Sequence, residues 1–455
     1  MRHDMYWSGF TWLCFARGIG KEEYQELQPI PHMEVVKVVV IPEIQNQMAK
    51  YHKVQGLMRY INIKTMKEAH AQMDGEKASG VDDISKFKYE ESLEANLDNL
   101  LNKMKKFEYY PKPVRRARIP KANGKVRELG IPSYEDKIVQ KIIADILNNI
   151  YEPIFLDCSY GFRPKRNCHQ ALYKMCEAIY SGKVNYIVEA DIKGFFDNVN
   201  QEVLLRLLKM TIKDRHFIEY VKRFLKAGVM EQGIPKPSET GTPQGGNMSP
   251  VLANIYLHYV LDQWFENNFK KEAEGECYLI RYADDFIMLF EKPTDGETAN
   301  IRIRQRLEIF GLELQEEKTI IFSFGPKEET KATFDFLGFN IYNYKDGRNI
   351  KLGMKIKEEN IPKKYEAIKE CVEQYKYLEM ETLIKLVNLR LRGYYNYYGV
   401  STNIEWLISI YQYAVKEVFM VWIERYGVPR DYNYLKYVYR MTPVLQPYKF
   451  ITLYL

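Results

Sequence analysis

The stretch CYLIRYADDFIMLF, residues 277–290, sets two adjacent acids, Asp284 and Asp285, between two apolar runs. Taking a carboxylate out of water is costly unless it is paired or bound to a cation, and a like charge next to it raises the cost. The pattern predicts a strand, a tight turn and a second strand, with Ala283, Asp284 and Asp285 at the turn. A carboxylate pair at such a turn offers the hard oxygen ligands that Mg²⁺ prefers. One more acid from a neighbouring strand would complete a cage for two ions. Asp191 is the candidate, because it follows the apolar run Tyr186-Ile187-Val188 and precedes aromatics, which places it at a strand end.

Composition sets the frame around this hairpin. The chain has 455 residues and is 46% hydrophobic, enough for two or three domains with packed cores, which excludes wholesale disorder. The net charge of +6 is mild, but its distribution is uneven: ten basic residues and one acid, Glu108, lie between Lys103 and Arg127. Such a cluster points to a polyanion partner. The six cysteines form no CxxC pair, so neither a zinc module nor a disulfide framework is expected, and a reducing compartment fits. No apolar run approaches the ~20 residues that span a bilayer. The aromatic opening MYWSGFTWLCFARGIG lacks the plain apolar region and cleavage site of a signal peptide. A cytoplasmic protein of bacterial type, or an organellar one, without a membrane partner is expected.

Along the chain there is no internal repeat and no low-complexity tract. Helical spacing predicts helices over 61–71 and 90–107. Residues 116–132 read as a β-hairpin around Asn123-Gly124. Ile138, Ile142, Ile146 and Ile150, every fourth residue, mark a well-buried helix. NYIVEADIKGFFDNV (185–199) reads as a strand running into a turn, and 236–249 as a Gly/Pro loop. The next helix is expected to start with Ser249 as N-cap and Pro250 as its first residue. ATFDFLGFNIY (332–342) reads as one strand. From about Lys351 the chain should be helical, basic and rich in tyrosine.

The order of these pieces is distinctive. GVDD (80–83), IPKANGKVRELGIP (119–132), SYGFRPKRNCHQAL (159–172), ADIKGFFDNV (190–199), GTPQGGNMSPVLANIYL (241–257), RYADDF (281–286), LQEEKT (314–319) and FLGF (336–339) follow one another in register. In this the chain resembles the reverse transcriptases, and among them the group II intron-encoded reverse transcriptase/maturase family. LVNLRLRGYYNYYGVS (386–401) resembles the maturase, or X, signature of that group. The resemblance implies an α+β right-hand polymerase with fingers, a palm built on an antiparallel sheet, and an α-helical thumb/maturase domain. The implied divisions are an N-terminal extension of unknown role (1–55), the first part of the fingers (56–135), the fingers/palm catalytic core (136–345), the thumb/maturase domain (346–425) and a short C-terminal tail (426–455).

By the same resemblance Asp191, Asp284 and Asp285 would be the catalytic carboxylates and hold two Mg²⁺ ions. Lys121 and Arg127 would clamp the incoming dNTP, and Phe196 would stand at the steric gate that rejects a 2′-OH. Gln244 and Gly245 would lie near the nascent pair, and Lys318 near the nucleotide phosphates. Arg163, Lys165, Arg166, Arg390 and Arg392 would contact RNA. The implied partners are an RNA template or intron RNA, a DNA primer or target DNA, and dNTPs. Two departures qualify the match: residues 1–55 fit no motif of the family, and the roughly thirty residues after Arg425 hold no His or Cys, so an HNH-type endonuclease is not expected. A free-standing relative serving host defence or repair shares the same chemistry. A splicing cofactor without polymerase activity would not need the three acids.

Overall fold

The helix Tyr134–Tyr151 is the central element, and its sequence explains why. Ile138, Ile142, Ile146 and Ile150 are all buried, and residues on its remaining faces are buried with them. Its Asn149 clasps the incoming chain with both ends of one amide: Nδ2 donates to Val39 O at 2.6 Å, and Ile41 N donates to Oδ1 at 2.8 Å. The helix Pro42–Tyr51 that follows buries Ile44 and Met48 in the same core. Ile44, Met48 and Val54, within the expected N-terminal extension, thus pack into the main core. The computed structural model describes residues 38–120, 126–181, 183–231, 233–236, 238–242, 245–316, 319–325, 332–427 and 443–447.

Eleven strands among the described residues form three sheets. In chain order they are β1 (Val114–Pro120), β2 (Val126–Ile131), β3 (Tyr186–Asp191), β4 (Val229–Glu231), β5 (Ile234–Lys236), β6 (Cys277–Tyr282), β7 (Asp285–Phe290), β8 (Ile320–Ser323), β9 (Thr333–Phe336), β10 (Phe339–Asp346) and β11 (Asn349–Ile356). The sheets run β2-β1-β4-β5, β6-β7-β3-β8 and β11-β10-β9. Pairing is antiparallel except between β1 and β4. With helices packed around them, the architecture is α+β.

In the second sheet β3 and β7 lie inside, covered on both faces, so their sequences read as nearly unbroken apolar runs. Val188, Ala190, Phe286, Met288 and Phe290 point into the core around the Tyr134–Tyr151 helix. Ile187, Ile287 and Leu289 point the other way, into a second core shared with β9–β11 and the C-terminal helices.

Three expectations needed revision. Residues 332–342 are not one strand: the chain reverses between β9 and β10 at Leu337-Gly338, both with positive φ. β11 continues to Ile356, and only then do the helices Ile361–Tyr375, Met380–Tyr398 and Ile404–Tyr426 follow. The helix after the Gly/Pro loop spans Ser249–Leu257 with Met248, not Ser249, in the N-cap position, and it runs on into π turns at His258–Asp262 and Phe265–Phe269. Among the described residues no helix is long and apolar enough to cross a membrane.

Candidate active site

β6 and β7 pair with Tyr282 opposite Asp285, which leaves Ala283-Asp284 as the turn of the hairpin. Ala283 takes a left-handed φ of 60°, a conformation that costs a residue with a Cβ about 1 kcal/mol. On the other edge of β7, β3 pairs with Asp191 directly opposite Asp285. Directly opposed residues of an antiparallel pair share a face, with Cβ atoms about 4.5–5.5 Å apart. The sheet therefore gathers Asp191, Asp285 and the turn residue Asp284 at one end. The backbone there is tied once more, since Gln315 N donates to Asp191 O at 2.8 Å and Ile192 bridges Leu314. LQEEKT thus begins beside the carboxylate pair.

Carboxylate oxygens at a strand end suit Mg²⁺, which takes one or two carboxylates and completes an octahedral shell with waters and substrate phosphates. Among the described residues no three acidic, histidine or cysteine side chains are gathered into a ready metal cluster. The sheet sets Asp191 and Asp285 as a register pair, with Asp284 on the adjoining turn. That donor set fits a metal site that the substrate completes.

Glu189, two residues before Asp191 on β3, faces the same side. Burial pushes its carboxyl up to about 7, and Asp335 and Asp285 add to the rise. Lys357 acts against it and pairs with Asp335 at 3.1 Å. The sequence reading missed Glu189, although the two-residue period of a strand was enough to place it beside Asp191.

After β3 the chain turns at Gly194, φ 53°, into a helical turn, Phe195–Asn198. Here the two phenylalanines part by helical rather than strand geometry. Phe195 is buried in the core, and Phe196 is half-buried against it. The GTPQGG loop is laid on this turn: Thr242 N donates to Phe196 O at 2.7 Å and Gly241 N to Val199 O at 2.8 Å. A Cβ on Gly241 would meet Phe196 O at 2.7 Å, so the approach requires glycine. Gln201 secures the loop from below, its Nε2 donating to Leu225 O and Gly241 O, both at 3.0 Å. Gly245 rests on the end of β2, where a Cβ would come within 2.7 Å of Gly130 O. Lys121, Gln244 and Lys318 lie outside the described residues. Arg127 stands in β2 opposite Ile119.

The basic residues divide into two groups. Arg163 is turned inward, a correction to its expected RNA contact. It is 3% exposed, holds Glu152 through Nε and Nη2 at 3.1 and 2.8 Å, and donates Nη1 to Leu156 O and Ser159 O. Much of the cluster before Arg127 is also engaged: Lys112 pairs with Asp82, Arg116 and Arg118 pair with Glu128 and Glu231, and Arg115 donates to Ser79 O. By contrast Lys165 is exposed, and so are Arg390 and Arg392 on the Met380–Tyr398 helix. Arg166 pairs with the exposed Asp157 and lies over the Tyr160 ring. On the same C-terminal helix Tyr395 and Tyr398 are buried, while Tyr397 stacks on Phe339 and donates its hydroxyl to Leu337 O at 2.9 Å. The FLGF turn is thereby held against the GYYNYY segment.

Residues 119–341 match the family described as reverse transcriptase (RNA-dependent DNA polymerase). The chain is 32% identical over 398 residues to the group II intron-encoded protein LtrA of Lactococcus lactis subsp. cremoris, covering 68% of this chain and 64% of that protein. It is 30% identical over 324 residues to protein YkfC of Escherichia coli K12, covering 62% of this chain and 85% of that one. Nuclear intron maturase 2 of Arabidopsis thaliana is 26% identical over 177 residues, 30% of this chain and 24% of its own length. The ordered motifs, the carboxylate pair in register and these likenesses agree: the chain belongs to the group II intron-type reverse transcriptase/maturase family.

Proposed function

We propose that this chain is an RNA-directed DNA polymerase that extends a primer 3′-OH with dNTPs and also binds and assists the splicing of an intron RNA. The observation that supports it most is the pairing of Asp191 with Asp285 across β3 and β7, beside Asp284. In this reading Asp191, Asp284 and Asp285 are the ligands of two Mg²⁺ ions. Such a pair of ions activates the attacking hydroxyl and neutralises the departing pyrophosphate. The remaining work is positioning and charge neutralisation.

The central sheet is then the palm, the β1–β2 hairpin part of the fingers, and the C-terminal helices the thumb and maturase domain. Lys121 and Arg127 grip the triphosphate, because a phosphate chain needs cations and a hairpin can close over it. Phe196, held by Thr242 at its own carbonyl, presents its half-exposed ring where a 2′-OH would collide. Gln244 and Gly245 border the nascent pair, and Lys318 lies near the leaving phosphates. Lys165, Arg166, Arg390 and Arg392 contact the RNA backbone, where cations give affinity without reading sequence.

The test is primer extension on an RNA template with Mg²⁺ and either dNTPs or NTPs, for the wild type and Asp284→Asn. The wild type should extend with dNTPs, and Asp284→Asn should lose extension while binding RNA normally. Full extension by the variant would refute the assignment. Splicing is tested separately, by adding the chain to its flanking intron transcript.

A further inference from the structure

A saturated buried cation lies under the hairpin turn, and none of the roles above uses it. Arg281 and Asp262 are both 0% exposed. Arg281 donates Nε to Asp262 Oδ1 at 2.7 Å and Nη2 to Asp262 Oδ2 at 2.5 Å. Nη2 also donates to Ser159 Oγ at 2.7 Å, and Nη1 donates to Asn254 Oδ1 at 3.0 Å and to Ala283 O at 2.8 Å. A guanidinium has five N–H donors in one rigid plane, and here each has an acceptor. The SYGF segment, the helix after the GTPQGG loop, its π turn and the hairpin turn all meet on that plane.

The π turn has a purpose in this arrangement. Asn254 and Asp262 are eight residues apart, ~80° out of line on a helix of 3.6 residues per turn. The π turn His258–Asp262 winds less per residue and carries Asp262 back toward the side of Asn254. Asn254 then uses its other end, Nδ2, on Gly161 O at 2.7 Å. The backbone of Arg281 is gripped as well: its N–H donates to Cys158 O, and Tyr160 N donates to its carbonyl, both at 2.8 Å.

Stability alone does not account for this. A buried ion pair is commonly no more stabilising than a well-packed apolar pair of the same volume, yet its fixed donor directions hold the partners in one geometry. What it holds here is the carbonyl of left-handed Ala283, one residue before Asp284. On the polymerase reading of this site, we infer that Arg281 and Asp262 are positioning residues that fix the hairpin turn and set Asp284 beside the Asp191–Asp285 pair.

The test compares the full-length wild type with Arg281→Met/Asp262→Leu, which replaces the pair by apolar side chains, and with Arg281→Lys. Lysine keeps the charge but concentrates its donors on one nitrogen, so it cannot serve Asp262, Asn254, Ser159 and Ala283 together. Thermal melting and primer–template binding report the fold. Single-turnover extension at saturating dNTP and Mn²⁺ binding read by electron paramagnetic resonance report the site. Both variants should stay folded, melting below the wild type because Ser159, Asn254 and Ala283 lose a donor, and should bind primer–template within about 2-fold. Their extension should slow on the order of 10²-fold, and their Mn²⁺ affinity should fall roughly 10-fold, as expected when a supporting shell is lost. A folded variant with wild-type rate and Mn²⁺ affinity overturns the inference. Loss of folding in both variants overturns it too, by making the pair a stability element. If instead the wild type fails to extend primers, or Asp284→Asn extends them fully, the polymerase reading itself falls.

Discussion

Gly161 packs so closely on Ala283 that a Cβ at position 161 would lie 2.4 Å from the Ala283 nitrogen and 2.9 Å from the Tyr282 carbonyl carbon. Backbone cannot yield to such an approach without moving the hairpin. Gly161→Ala should therefore cost about 1–3 kcal/mol of stability through overpacking. Because the displaced element carries Asp284, extension should fall further, on the order of 10²-fold. Thermal melting beside single-turnover extension checks this. A lower melting temperature with an unchanged rate would mean that the turn's position does not matter to the reaction.

Phe195 and Phe196 are neighbours with different work. Phe195 is 1% exposed, so Phe195→Ala should cost about 3–5 kcal/mol and leave sugar selection intact. Phe196→Ala should fold nearly as well and accept NTPs much more readily relative to dNTPs. The ratio of the two extension efficiencies decides the matter. An unchanged ratio in Phe196→Ala would move the gate to another residue.

The basic side chains separate in the same manner. Arg390→Gln and Arg392→Gln should each weaken RNA binding and reduce the slope of log affinity against log salt by about 1. Arg163→Gln should leave that slope alone and lower stability by about 1–3 kcal/mol, because Glu152 and two carbonyls lose their donor. A titration of binding against salt, with a melting curve for each variant, distinguishes the two behaviours.

His258 sits fully buried in the first π turn, with Asp262, Arg281 and Arg163 as its charged neighbours. Burial pushes its imidazole down from 6.5 to about 4; Asp262 acts against the shift, and Arg281 and Arg163 add to it. Below pH 6.5 the unfolded chain takes up a proton that the folded chain refuses until about pH 4. The stability this confers is complete above pH 6.5 and is lost as the pH falls toward 4. Between pH 7 and 4.5 the wild type should lose on the order of 2–3 kcal/mol more than His258→Gln. Denaturant melts at several pH values would show it. Parallel pH profiles for the two proteins would refute it.

Much of this architecture was legible in the sequence. The acids of RYADDF announced a hairpin because their apolar flanks are short, and Asp191 announced itself at a strand end. The buried helix was plain from its isoleucines. What escaped was adjacency between distant segments. Nothing local says that Ser159, Asp262 and Arg281 share one point, and an arginine between apolar residues gives no sign that all its donors are used internally. Arg163 looked like an RNA contact for the same reason. Local rules also failed at the chain reversal in 332–342, where Leu337 takes a positive φ that its side chain does not advertise. The π turns left no mark in the apolar spacing.

The central sheet also imposes an order in time. β3 is made early, yet its two neighbours, β7 and β8, are synthesised only after the long excursion through the GTPQGG loop and the π-turn helix. Pairings that span so much chain form late and slowly. An emerging polypeptide therefore carries Asp191 on an unfinished edge until β7 and β8 have followed it.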